Sequence, residues 1–205
     1  MVDSTTLLIF IPTFFIVSIT PGMCMTLAMT LGMSIGIRKT LWMMWGELLG
    51  VALVAISSVI GVATLMLKYP EVFQVVKLIG ALYLCYVGIN MWQAKGALAI
   101  TSNKHTQIKG TELFTQGLIT AIANPKGWAF MISLLPPFIN NSYALPMQLT
   151  VLVLVILLSE FICMMIYALG GKSIGKLLTQ QNSVKRLNKL SGTLMIMVAS
   201  WLAFG

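Results

Sequence analysis

Three charged residues lie where the chain is otherwise apolar: Glu47, Lys126 and Glu160. A charge inside a bilayer costs about 2.5–3.5 kcal/mol on insertion scales, so each is expected to face the interior of a helix bundle and to have a partner. Lys126 and Glu160 fall near the middle of their apolar runs, which predicts a buried ion pair between consecutive antiparallel helices. Glu47 falls about 9 Å inside the nearer end of its run, at 1.5 Å of rise per residue, within reach of water. Groups of this kind bind substrate or protons, or they hold helices together as a static pair. Two prolines complete the pattern. Thr20-Pro21-Gly22 interrupts the apolar run from Leu7 to Ile37, and Asn124-Pro125-Lys126 interrupts the run from Leu113 to Ile139. Each proline lacks a backbone N–H and crowds the carbonyl four residues back, while Gly22 removes the side chain that would resist an irregular backbone. In hydrocarbon the freed carbonyls need partners, so such breaks are tolerated only against other helices, a water-filled cavity or a ligand.

A break of this type has two useful ends. The N–H groups from Gly22 to Met25 and from Lys126 to Ala129 form half-helix N-termini suited to a carboxylate. The carbonyls before each break suit an ammonium group. Thr20, Pro21, Gly22, Asn124, Pro125 and Lys126 are therefore the candidate binding residues, with Trp128 as a candidate apolar wall of the same pocket. Glu47, Lys126 and Glu160 are the candidates for coupling or ion pairing. Gly46 with Gly50, and Gly171 with Gly175, are spaced for close helix packing. Met23, Met25, Met29 and Met33 read as adaptable packing, as do Tyr83 and Tyr86.

These residues must be positioned by helices in a membrane. The chain has 205 residues, 58% hydrophobic and only 9% charged, with a mean hydropathy of +0.93. So few charges cannot cover a water-soluble domain, and repeated apolar runs of about 20 residues read as transmembrane helices. The expected architecture is an all-α integral membrane protein with six spans, at 7–35, 41–67, 72–94, 113–138, 147–169 and 187–204. The N-terminus lacks the basic segment of a secretory signal, so the first run is expected to stay as a helix. The net charge of +8 falls in short connections: Arg38 and Lys39, then Lys95, Lys104 and Lys109, then Lys172, Lys176, Lys185 and Arg186, with Lys189 just beyond. By the positive-inside rule these ends are cytoplasmic and both termini face outward. The charge thus sets topology and does not point to nucleic acid. Trp42, Trp45, Tyr69, Trp92, Tyr143 and Trp201 sit near the span ends, as an interfacial aromatic belt requires.

The chain also reads as one domain, 1–205, built from a repeat. Pro21 maps to Pro125 at an offset of 104, and Lys77-Leu78-Ile79-Gly80-Ala81-Leu82 maps to Lys189-Leu190-Ser191-Gly192-Thr193-Leu194 at an offset of 112. Repeat one covers about 5–95 and repeat two about 112–205. Three spans per repeat is an odd number, so the copies are inverted, with Pro-broken first and fourth spans. Secondary transporters are built this way, with a binding site where the broken helices meet.

The first half, with Thr20-Pro21-Gly22, Gly36-Ile37-Arg38-Lys39 and Gly46-Glu47-Leu48-Leu49-Gly50, resembles the bacterial lysine exporter and homoserine/threonine-resistance family. So does the second, with Phe114, Gly117-Leu118, Asn124-Pro125-Lys126-Gly127-Trp128-Ala129-Phe130 and Leu135-Pro136-Pro137-Phe138. The resemblance covers nearly the whole chain. It implies an inner-membrane carrier that exports amino acids or close derivatives, is driven by the proton motive force and forms a homodimer. Met23 stands where the family commonly has a second proline, so a single bent helix is an alternative to a clean first break.

The function expected is export of a small zwitterionic solute, without cofactor, metal or enzymatic activity. One rival is a transmembrane thiol–disulfide electron carrier using Cys24. At the repeat offset, however, the counterpart of Cys24 is Trp128, and dithiol exchange needs two thiolates in reach. The three cysteines, at 24, 85 and 163, have no metal or disulfide spacing, and His105 stands alone. A divalent-metal transporter, the other rival, would need more ligands than Glu47 and Glu160 provide.

Overall fold

The computed structural model describes residues 4–93, 108–140, 143–171 and 181–204. Among these there is no strand, and the elements are α1 (Ser4–Ile19), α2 (Met23–Ile35), α3 (Ile37–Lys68), α4 (Pro70–Gln93), α5 (Gly110–Ile122), α6 (Pro125–Leu134), a 3₁₀ turn (Pro136–Phe138), α7 (Leu145–Leu169) and α8 (Gln181–Phe204). Lys95, Lys104, His105, Lys172, Gly175 and Lys176 lie outside the described residues. By length and hydropathy α3, over Ile37–Gly61, and α7 can each cross a bilayer. The α1–α2 pair makes a third span if taken as one, bent by 59° across residues 20–22.

Boundaries follow local chemistry. Gly36 has φ +78°, a conformation that costs a residue with a Cβ dearly, so a single glycine turns α2 directly into α3. Arg38 and Lys39, expected in a loop, are consequently in the first turn of α3. α6 ends before Pro136, whose ring cannot continue the ladder.

Packing is closest where glycines line the contact. A Cβ on Gly46 would overlap the Phe114 carbonyl, and one on Gly117 would overlap that of Met43. The Gly46–Gly50 pair therefore joins α3 to α5 within the chain. α4 and α8 form a second close pair, in which Gly192 lies on the Gly88 carbonyl and the Trp92 indole N–H donates to Thr193 Oγ1 at 2.9 Å.

Two apolar clusters hold the bundle. One is rich in methionine: Met25, Met29, Met43, Met44 and Met164, with Leu113 and Tyr167. The other is partly aromatic: Phe10, Phe14 and Phe138, with Val54, Met131, Leu135 and Ile156. Trp42, Trp45, Tyr69, Trp92 and Tyr143 are exposed.

Candidate functional site

A cavity of about 50 Å³ lies between the two clusters. Ser18, Thr20, Gly22, Glu47, Lys126 and Glu160 are in its lining, together with Cys24 and Asn124. Its position is set by four stretches of chain that each run from one cluster, past the cavity, to the other. Phe14 gives way to Ser18 and then Met25; Met44 to Glu47 and then Val54; Leu113 to Asn124 and then Met131; Ile156 to Glu160 and then Met164. A polar centre is thus flanked by apolar packing on both sides. The volume suits a few waters, so a larger solute requires the walls to part.

The first break is finished partly by its own residues and partly by side chains far away in sequence. Pro21 denies Val17 its regular N–H donor, and the Thr20 N–H supplies one at 3.3 Å. Lys126 Nζ donates to the Val17 carbonyl at 3.4 Å and to the Thr20 carbonyl at 3.3 Å. Ile19, the last residue of α1, has its carbonyl bonded by the buried Tyr167 hydroxyl at 2.9 Å. Thr20 Oγ1 turns back to the Ile16 carbonyl at 2.8 Å.

The second break is finished locally. Pro125 denies Ala121 its regular donor, and the Asn124 N–H supplies one at 3.2 Å. Asn124 also caps α6, its Oδ1 accepting from the Lys126 N–H at 3.1 Å. The Trp128 indole N–H donates to the Ile122 carbonyl at 2.8 Å. The two breaks also touch, for Asn124 Nδ2 lies 3.8 Å from Cys24 Sγ at the start of α2.

The direct Lys126–Glu160 pair expected from the sequence does not form. The ammonium lies on the Val17 and Thr20 carbonyls beside the first break, and Glu160 Oε1 accepts instead from Ser18 Oγ at 2.9 Å. Both side chains still line one cavity. Glu47 does not reach water: it is 1% exposed, with the Cys24 thiol in hydrogen-bonding reach and Oε2 without a partner. Two carboxyl groups and one amine therefore face a single small space, and a cation or proton there would balance the second carboxylate. Trp128 lies away from the cavity, because its indole is committed to Ile122 and packs beside the aromatic cluster.

A family model described as LysE type translocator matches residues 15–205. The chain belongs to this family. Among its relatives, the homoserine/homoserine lactone efflux protein of Salmonella typhimurium is 28% identical over 188 residues, which are 92% of this chain and 91% of the relative. The leucine efflux protein of Klebsiella pneumoniae is 25% identical over 185 residues, 89% and 87% of the two chains. An uncharacterized membrane protein of Vibrio cholerae is 27% identical over 179 residues, 87% of each chain. No solved structure matches.

Within this translocator, sequence reasoning missed Ser18 and Tyr167. Other hydroxyls here, at Thr13, Thr30 and Thr120, bond to their own helix four residues back. Nothing local marks Ser18 as the one that reaches another helix. Among the described residues no group of three or more His, Cys, Asp or Glu is placed to hold a metal ion. Cys24, Cys85 and Cys163 are free thiols.

Proposed function

We propose that this translocator exports amino acids or small amino-acid derivatives across a bacterial inner membrane, as a secondary transporter driven by the proton motive force. The observation that carries the reading is the cavity at the crossing of the two helix breaks. It offers an ammonium at Lys126, carboxyls at Glu47 and Glu160, and backbone groups released by two prolines. A zwitterion presents the complementary charges. The efflux relatives, named for homoserine and its lactone and for leucine, support a neutral amino acid as cargo.

In this reading the substrate ammonium is held by carbonyls of the first break and by Glu160, and its carboxylate by Lys126 and the N–H groups that open α6. The two apolar clusters act as alternate seals, one parting while the other stays closed. Glu47, buried with one oxygen unpartnered, is the group placed to take up the driving proton. The order α1–α2, α3, α4 is matched by α5–α6, α7, α8, which supports six spans in two inverted repeats, and the basic short connections support both termini outside. Everted membrane vesicles provide the test. Energised vesicles should accumulate homoserine or leucine and lose it on adding a protonophore, while Glu47→Gln should exchange amino acid without responding to the pH gradient. If no amino acid is accumulated by energised wild-type vesicles, the reading fails.

A further inference from the structure

Val17 and Thr20 present their carbonyls side by side at the end of α1, and a single ammonium, that of Lys126, touches both. The lysine reaches them from the other half of the chain. Its amine also lies 5.6 Å from the centre of the Phe130 ring, whose face favours a cation. The contacts of 3.3 and 3.4 Å are longer than the usual 2.7–3.2 Å of an N–H···O bond. They are therefore displaceable. Any primary ammonium group that reached the cavity would meet the same acceptors in the same geometry.

We propose that the Val17 and Thr20 carbonyls form a primary-ammonium site, and that the Lys126 side chain is its built-in ligand whenever no substrate ammonium is there. An arriving amino acid displaces Lys126 from the carbonyls, which releases the lysine toward the substrate carboxylate and toward Glu160 across the cavity. When the substrate leaves, the lysine returns. The two carbonyls then face an ammonium on the return leg as well, and the buried carboxyls of the cavity keep a cation beside them. The role in the cycle rests on the export reading above. The ammonium site itself does not.

Two variants test this separately. Lys126→Ala removes the built-in ligand and leaves room for a small amine. Purified in detergent, it should melt below wild type, and ethylammonium chloride should raise its melting temperature by about 2–4 °C over the same concentration of sodium chloride. Tetramethylammonium, which has no N–H to donate, should leave it unmoved. Wild type should not respond, because Lys126 holds the carbonyls. A Lys126→Ala protein indifferent to ethylammonium, or a wild-type protein shifted equally, would overturn the site. Lys126→Gln covers the case in which the alanine variant does not survive extraction, since its amide still donates to the carbonyls but carries no charge. In proteoliposomes it should weaken exchange, because the substrate carboxylate loses its ammonium partner, and lower net efflux about tenfold further than exchange. Equal loss of both activities, or of neither, would overturn the return-leg role. Wild-type proteoliposomes that move no amino acid would sink the export reading alone, with the ethylammonium shift still deciding the site.

Discussion

The two helix breaks begin alike and end differently. Each places a proline after a polar residue in an apolar run, and each proline strips one carbonyl of its donor. At the second break the replacements are neighbours: the Asn124 N–H, the Asn124 side chain and the Trp128 indole, all within six residues of the groups they serve. At the first break the Thr20 N–H serves Val17 as the Asn124 N–H serves Ala121, but the side-chain donors, Lys126 and Tyr167, come from 106 to 148 residues away in the chain. A locally capped break persists as long as its helix does. One capped by distant groups depends on how the helices around it are arranged, so it can respond when they move. In the proposed function the second break is then scaffolding and the first is the moving, ligand-exchanging part of the site.

The largest effect is expected where the scaffold is clamped. Gly117→Val puts a branched side chain into the Met43 carbonyl and should separate α5 from α3, costing about 4 kcal/mol or more, so that little folded protein is recovered from membranes. A well-expressed, monodisperse Gly117→Val protein would show that the second break is not anchored through α3.

Next come the prolines themselves. Pro21→Ala restores the regular helical donor for Val17 and lets α1 run on toward α2, so export should fall about tenfold or more at normal protein levels, roughly 1.4 kcal/mol in barrier. Pro125→Ala should keep more than half of wild-type export, because Asn124 still caps α6. Equal losses at the two sites, measured as initial efflux rates, would erase the asymmetry.

The smallest effects separate the capping side chains. Tyr167→Phe removes the donor to the buried Ile19 carbonyl, for about 1–3 kcal/mol, and should slow export out of proportion to its loss of stability. Trp128→Phe removes the donor to Ile122 for about 0.5–1.5 kcal/mol and should lower stability while leaving the export rate near wild type. Reversed sensitivities would exchange the roles of the two breaks.

Most of the site's composition was legible in the sequence because its signals are local. Proline in an apolar run, glycine beside it and charges at mid-depth need no tertiary knowledge, and Thr20, Gly22, Glu47, Asn124, Lys126 and Glu160 all line the cavity. Which of them touch was not legible. Depth along a helix places Lys126 near Glu160 but says nothing of rotation about the axis, and the Val17 and Thr20 carbonyls at the end of α1 capture the amine. Trp128 lies off the cavity for a related reason. An aromatic just past a break fits either a pocket wall or a cap, and only the fold of the break brings the indole onto Ile122. In the fold, helix termini were shifted where Gly36 makes a one-residue turn, which moved Arg38 and Lys39 from loop to helix.

The central claim is that substrate binds between the two breaks, and Cys24 offers a native reporter for it. Its thiol lines the cavity and is 6% exposed. In a variant with Cys85→Ser and Cys163→Ala, the rate of Cys24 modification by methyl methanethiosulfonate should fall as the exported amino acid is added. Half-protection should come at the concentration that half-saturates transport. A modification rate unchanged at a saturating concentration of an amino acid that the same protein exports would place the binding site elsewhere.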